Sequence, residues 1–238
     1  MRSRFVQGSS DIAIVATITQ SALRTAAAVS EEPVELALED VRHKIRSRHA
    51  PVLVLLLVDA SWSMVAEGRM ELVKGAVLDL LSRAYRRRYR VGLVTFRGSR
   101  AELRLAPTNA VTLARRALST MPVGGTTPLA SGLAMAANVI RRERMRGVGE
   151  QRIVLAVLSD GESNVSTSGR DIQSEVLMWG RHVSTLGVEA IVIDTARRRG
   201  SRERLNALVA AMRARLLVPD GFTRSELVRL VGQATRGL

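Results

Sequence analysis

The sequence predicts an α/β fold: a doubly wound, mostly parallel sheet flanked by helices, with one antiparallel edge strand. Three observations predict it. Four stretches, VLVLLLV (52–58), YRVGLVTF (89–96), RIVLAVLSD (152–160) and VEAIVID (188–194), are apolar with little alternation, as central strands covered on both faces are. Segments of helical periodicity lie between them. Three of the strands end at or run directly into an aspartate, Asp59, Asp160 and Asp194, and the first two lead into the polar loops DASWSM and LSDG. Alternating strands and helices imply parallel βαβ units. Such sheets bind ligands beyond the carboxyl ends of their strands. The Asp59 and Asp160 carboxylates are therefore expected at one edge of the sheet.

Each element follows in order. Residues 1–50 are read as an N-terminal extension packing on the domain, and residues 51–238 as the domain itself. Within the extension, ITQSALRTAAA reads as a helix, VELAL as an extended piece after Pro33, and the stretch to Arg48 as a basic amphipathic run. After the first strand, RMELVKGAVLDLLSRAY (69–85) places Met70, Val73, Val77, Leu80 and Leu81 at helical spacing. AELRLA (101–106) alternates and is expected to pair with 89–96 as the edge strand. NAVTLARRALSTM (109–121) and PLASGLAMAANVIRRER (128–144) are helices, the second rich in small residues that allow close approach to the sheet. SEVLMWGRHVSTLG (174–187) is a helix stopped by Gly187. RERLNALVAAM is a helix, ARLLVPD a last strand, and TRSELVRLVGQAT a closing helix that Thr223 can cap.

Composition removes several classes of chemistry. The chain has 238 residues, 46% of them hydrophobic but only 3% aromatic, so its core is built from Leu, Val, Ala and Ile. It has no cysteine, which excludes disulfides, thiolate metal sites and cysteine nucleophiles. Its three histidines, His43, His49 and His182, make a zinc hydrolase site improbable. Lys and Arg number 36 against 22 Asp and Glu, a net charge of +14 that favours acidic partners. Arginine on solvated faces explains much of that charge without a partner. No apolar run reaches the ~20 residues of a membrane span. The N-terminal apolar stretch holds Asp11, Thr17, Thr19 and Gln20, a poor signal peptide, so a cytoplasmic protein is expected.

The chemistry concentrates in three segments. DASWSM follows the first strand and carries Asp59, Ser61 and Ser63 at alternate positions. GGTTPL (124–129) and LSDG (158–161) add a threonine and Asp160. All are oxygen donors, which suit Mg²⁺, with Mn²⁺ fitting the same set. The donor count leaves at least one metal position for water or a partner's carboxylate.

This pattern resembles the metal-ion-dependent adhesion site of von Willebrand factor A (integrin I-like) domains, a Rossmann-like fold, over roughly residues 50–238. The resemblance implies a metal held by Asp59, Ser61, Ser63, Thr127 and Asp160. Thr127 is preferred to Thr126 because it lies at the family's interval before Leu133; Thr126 then hydrogen-bonds a metal-bound water. The residue between the serines is usually small but here is Trp62, which either contacts the partner or packs on a neighbouring loop. Trp62, Thr126 and Glu162 are the candidate partner contacts, and Glu162 is equally readable as merely exposed.

The flanks are closer to one branch. The FRG after the second strand, LAPT, and P-x-GG-x-TPLA-x-GL resemble the C-terminal domain of the magnesium chelatase D-subunit family. That resemblance implies a non-catalytic subunit that couples an AAA+ ATPase to a large metal-inserting partner, in a magnesium or cobalt chelatase of tetrapyrrole biosynthesis. No G-x-x-x-x-G-K-[ST] occurs, so the chain reads as a free-standing module beside a separate ATPase. The alternative is a partner of a MoxR-like AAA+ remodelling ATPase outside tetrapyrrole synthesis.

Two other classes compete. A Mg²⁺-dependent phosphatase or nuclease suits oxygen ligands, but the motifs supply one metal and no nearby acid/base pair. A nucleic-acid module is suggested by RAYRRRYR (83–90) and ARRRGSRER (196–204), which read more simply as solvated helix ends and loops. Scarce aromatics disfavour single-strand binding.

Overall fold

Strand β3 (Val52–Asp59) has all eight residues buried and lies at the centre of a six-stranded sheet in a computed structural model. The structure describes residues 3–4, 12–25, 36–44, 51–62, 69–86, 89–146, 151–195, 202–219, 223, 225–226 and 228–229. The chain divides into two compact units, Met1–His49 and Ala50–Leu238.

In the first unit, β1 (Ser3–Arg4) pairs antiparallel with β2 (His43–Lys44). Helix α1 (Ile14–Thr25) is tied to the Leu38–Asp40 turn by Arg24, whose Nε and Nη2 donate to the Asp40 carboxylate at 3.1 and 2.9 Å. The expected extended VELAL thus ends in a turn at Leu38: Asp40 accepts the Ala37 N–H at 3.0 Å and closes it. Part of the expected basic amphipathic run, His43–Lys44, is a strand.

The second unit holds β3, α2 (Arg69–Arg86), β4 (Arg90–Arg97), β5 (Arg100–Thr108), α3 (Val111–Ser119), α4 (Leu129–Met145), β6 (Arg152–Ser159), α5 (Ile172–Ser184), β7 (Glu189–Asp194), α6 (Arg202–Met212) and β8 (Arg215–Leu217). The sheet order is β5-β4-β3-β6-β7-β8, parallel except for β5, which is antiparallel to β4. Thr223 accepts the N–H of Glu226 at 3.3 Å, as a cap does, and Ser225, Glu226, Val228 and Arg229 are helical.

The strands read as unbroken apolar runs because each face meets helices. Val52, Val54, Leu56 and Val58 join Met70, Val73 and Val77 of α2 and Leu118 of α3 on one side. Leu53, Leu55 and Leu57 join Leu133 and Ile140 of α4, Val176 of α5 and Leu208 of α6 on the other. Gly132 lets α4 sit tightly on the sheet: a Cβ there would stand 2.8 Å from Phe96 and 3.1 Å from Leu57. Helix α5 starts two residues before the expected Ser174, because Asp171 accepts the Ser174 N–H at 2.8 Å and caps it.

The chain turns back at the centre of this sheet. β3 is followed in sequence by its neighbour on one side, β4, while its other neighbour, β6, comes much later. That reversal opens a crevice at the carboxyl ends of β3 and β6. Val58 pairs with Leu158, so Asp59 and Asp160 leave adjacent strands within one register step of each other.

Candidate metal centre

Three loops converge on this crevice, and backbone hydrogen bonds lace them together. Ala60 N–H donates to Phe96 O at 3.1 Å, continuing the β3–β4 ladder past Asp59. Gly124 N–H donates to Ala60 O at 2.7 Å, and Trp62 N–H to Gly125 O at 3.1 Å. These two bonds dock the GGTTPL loop onto the DASW loop. Gly124 and Gly125 have φ of 98° and 91°, a region that favours glycine, which is why the pair occupies this turn. On the far side, Asn164 N–H donates to Thr127 O at 3.2 Å, and Thr127 N–H donates to Asn164 Oδ1 at 2.7 Å. Ser163 Oγ adds a third bond to Thr127 O at 3.1 Å.

Asp59 lies at the bottom with no solvent exposure. Its Oδ1 accepts the Ser61 N–H at 2.8 Å, while Oδ2 is buried without a hydrogen-bond partner. Burial pushes its carboxyl up from the usual 3.8 to about 7, against the pull of the Ser61 hydrogen bonds and with a smaller push from the negative charges of Asp160 and Glu162. Asp160 is buried at the end of β6, and its Oδ1 accepts the Glu162 N–H at 2.9 Å. Gly161 allows that turn with a φ of 78°. Ser61 and Thr127 are buried as well.

The donor types gathered here are ones a hard cation accepts. A buried carboxylate oxygen without a donor and two further acids close enough to raise its pKa would be satisfied by one hard cation. Asp59, Ser61, Thr127 and Asp160 are the residues that fit it. Ser63 lies outside the described residues. Among the described residues, no group of three or more His, Cys, Asp or Glu side chains gathers as a metal cluster, so a metal here would depend on hydroxyl donors.

The other candidates fall as follows. Trp62 is 65% exposed, and its indole covers Gly124, where a Cβ would lie 3.4 Å from the ring. It therefore both packs on the neighbouring loop and presents a face to solvent. Thr126 donates its hydroxyl to Gly98 O at 2.6 Å and accepts the Gly98 N–H on its carbonyl at 2.8 Å. Its proton is committed to the β4–β5 turn. Glu162 is exposed and sits 3.8 Å from Arg204, a loose surface ion pair.

Sequence reasoning missed Ser163, Asn164 and Glu175. Glu175 is buried in α5 and accepts hydrogen bonds from Ser166 Oγ at 3.1 Å, Thr167 N at 2.9 Å and the Thr167 hydroxyl. Burial would raise its carboxyl, but these donors outweigh it and hold the group below its ordinary range. A buried acid at the start of a helix, following a Ser-Thr-Ser run, was the available signal.

Comparison with known proteins identifies the family and the fold. Residues 54–162 match the family model of the von Willebrand factor type A domain. The chain is similar to the magnesium-chelatase 60 kDa subunit of Rhodobacter capsulatus, 35% identical in a 203-residue alignment that covers 81% of this chain and 36% of that protein. The chain thus spans about a third of the length of that curated relative. It is 36% identical over 132 residues to an uncharacterised protein of Methanocaldococcus jannaschii, covering 56% of this chain and 75% of that one. In fold, it superimposes on the SpRpn10 VWA domain with a TM-score of 0.57, at 16% identity over 77% of this chain and 95% of that structure. The chain belongs to the von Willebrand factor type A domain family.

Proposed function

We propose that this protein is a non-catalytic, Mg²⁺-dependent interaction module whose metal accepts a carboxylate from a protein partner. The observation that carries this reading is the buried Oδ2 of Asp59, without a hydrogen-bond partner, beside Ser61 and Asp160 on loops that backbone hydrogen bonds join in series through the Thr127 loop. Asp59, Ser61, Thr127 and Asp160 would hold the ion, with Ser63 completing the motif. The bound ion supplies a Lewis-acid position. Asp59 and Asp160 would balance its two charges and the hydroxyl donors are neutral, so the ion would keep Lewis acidity for one further oxygen ligand, water or a carboxylate. Ala60, Gly124 and Gly125 hold the first two loops together, and Trp62 offers an exposed apolar face beside the site.

Similarity to a magnesium-chelatase subunit supports a place in a chelatase assembly, with an AAA+ ATPase or the large metal-inserting subunit as partner. A MoxR-like AAA+ ATPase is the alternative partner. A cytoplasmic location accords with the described residues, in which no helix is long and apolar enough to cross a membrane.

The test is binding to the immobilised AAA+ subunit and to the immobilised large subunit of the same organism's chelatase. Wild-type protein in Mg²⁺ is expected to bind at least one. EDTA, or Asp59→Ala in Mg²⁺, is expected to abolish binding. Binding that survives both changes places the contact elsewhere and defeats the adhesion-site reading.

A further inference from the structure

Asn164 stands outside the family-like ligand set, yet it makes the contacts that join two of the ligand loops. Its backbone and side chain form a closed pair with Thr127: Asn164 N–H to Thr127 O at 3.2 Å, and Thr127 N–H to Asn164 Oδ1 at 2.7 Å. Ser163 adds its hydroxyl to the same Thr127 carbonyl at 3.1 Å. Both backbone polar groups of a buried threonine are thereby satisfied by one dipeptide.

The chain around Thr127 offers no local substitute. Pro128 follows and has no N–H to give, and it stands at the N-cap of α4 without a side-chain cap bond. Gly125 and Thr126 are already engaged with Trp62 and Gly98. On the other strand, the 163–164 turn begins three residues after Asp160, whose own Oδ1 is fixed by the Glu162 N–H. Farther along, Glu175 gathers Ser166 and Thr167 and anchors the rest of the loop to α5. The path from Asp160 to Thr127 therefore runs through Asn164.

We infer that Asn164 is a positioning residue of the metal centre, holding the Thr127 hydroxyl in its ligating place through its reciprocal hydrogen bonds with the Thr127 backbone. This rests on the metal-site reading above. Asn164 touches no metal on this account; it acts through Thr127. Groups that orient ligands in this way commonly contribute about 10- to 100-fold in metal affinity.

The experiment is calorimetric titration of the full chain with Mn²⁺ alone, with cooperative unfolding in EDTA as the check on folding. Asn164→Ala is expected to weaken Mn²⁺ binding at least about tenfold. Asn164→Asp keeps the accepting oxygen and is expected to stay within about threefold of wild type. Ser163→Ala removes a single bond to the same carbonyl and is expected to weaken binding by about threefold, serving as the second variant if Asn164→Ala does not fold. In a Thr127→Ala background, Asn164→Ala should add less than about twofold, because the ligand it positions is gone. Undiminished Mn²⁺ binding by folded Asn164→Ala, with Asp59→Asn binding none, overturns the role of Asn164 and leaves the metal site standing. An equal loss in the Thr127→Ala background also overturns it. If wild type itself takes up no Mn²⁺, the metal-site reading and this inference fall together.

Discussion

Asp59→Asn should make the metal-free protein more stable at neutral pH while removing its response to Mg²⁺. The carboxyl's pKa rises from 3.8 to about 7 in the folded chain. For an acid, a raised folded pKa means that folding favours the protonated form. Stability is then greatest below 3.8, falls as pH rises from 3.8 to about 7, and is flat above. Three units at 1.36 kcal/mol each set the cost of the ionised form at about 4 kcal/mol by pH 8, against roughly 1.5–2 kcal/mol at pH 5. Asparagine keeps an oxygen for the Ser61 N–H without the charge, so it escapes this cost. The assay is urea unfolding in EDTA at pH 5 and pH 8. Wild type should lose about 2 kcal/mol between them relative to the variant. Saturating Mg²⁺ at pH 8 should restore wild type by about 2.7 kcal/mol at a hundredfold excess over Kd and leave Asp59→Asn unchanged. A variant less stable than wild type at pH 8 in EDTA, or one rescued equally by Mg²⁺, would refute the reasoning.

Other positions give independent checks. Trp62→Ala should leave the melting temperature within about a degree, since the ring is 65% exposed, yet weaken partner binding by roughly 2 kcal/mol if the indole lies in the contact. Surface plasmon resonance alongside a thermal melt separates the two effects. Gly161→Ala should destabilise and weaken Mn²⁺ binding: its φ is 78° and the new methyl would stand 3.1 Å from Leu205 Cα, a cost of about 1–3 kcal/mol by urea unfolding. Glu143→Ala removes a buried carboxylate that meets Arg90 at 2.5 Å and Arg146 at 2.7 Å. Because Arg90 remains partly solvated, the loss should be about 2 kcal/mol, below the full value for a sealed pair, with Mn²⁺ affinity unchanged.

β3, β4, β6 and β7 were legible because burial on both faces writes itself as an unbroken apolar run, and β5 because its alternation marks an edge strand. Asp59 and Asp160 were legible because a charge ending such a run has few structural explanations. What hid was of two kinds. Helix α5 begins at Ile172 because the Asp171 side chain caps it, a local bond that periodicity does not register. The Thr127–Asn164 pair joins residues 37 apart, so no window of sequence contains it. Thr126 shows the same limit. Its hydroxyl donates to Gly98 O in the β4–β5 turn, a contact 28 residues away that no window of sequence contains.

The charges of this chain also say why a metal should control its contacts. The molecule as a whole carries +14 and draws acidic surfaces toward it. At the crevice the sign reverses: Asp160 and Glu162 act on Asp59 as negative neighbours and add a little to the rise that burial gives its pKa. An incoming carboxylate would be attracted by the body of the protein and repelled at the site itself. On the proposed reading, a divalent cation removes that local repulsion and provides the ligand position in one step. Raising ionic strength should therefore slow association chiefly through the distant arginines, while dissociation of the metal-bound complex changes little. Measuring on- and off-rates to the partner between about 50 and 300 mM salt separates the two. An off-rate that climbs as steeply as the on-rate falls would mean that the arginines, and not the metal, hold the complex together.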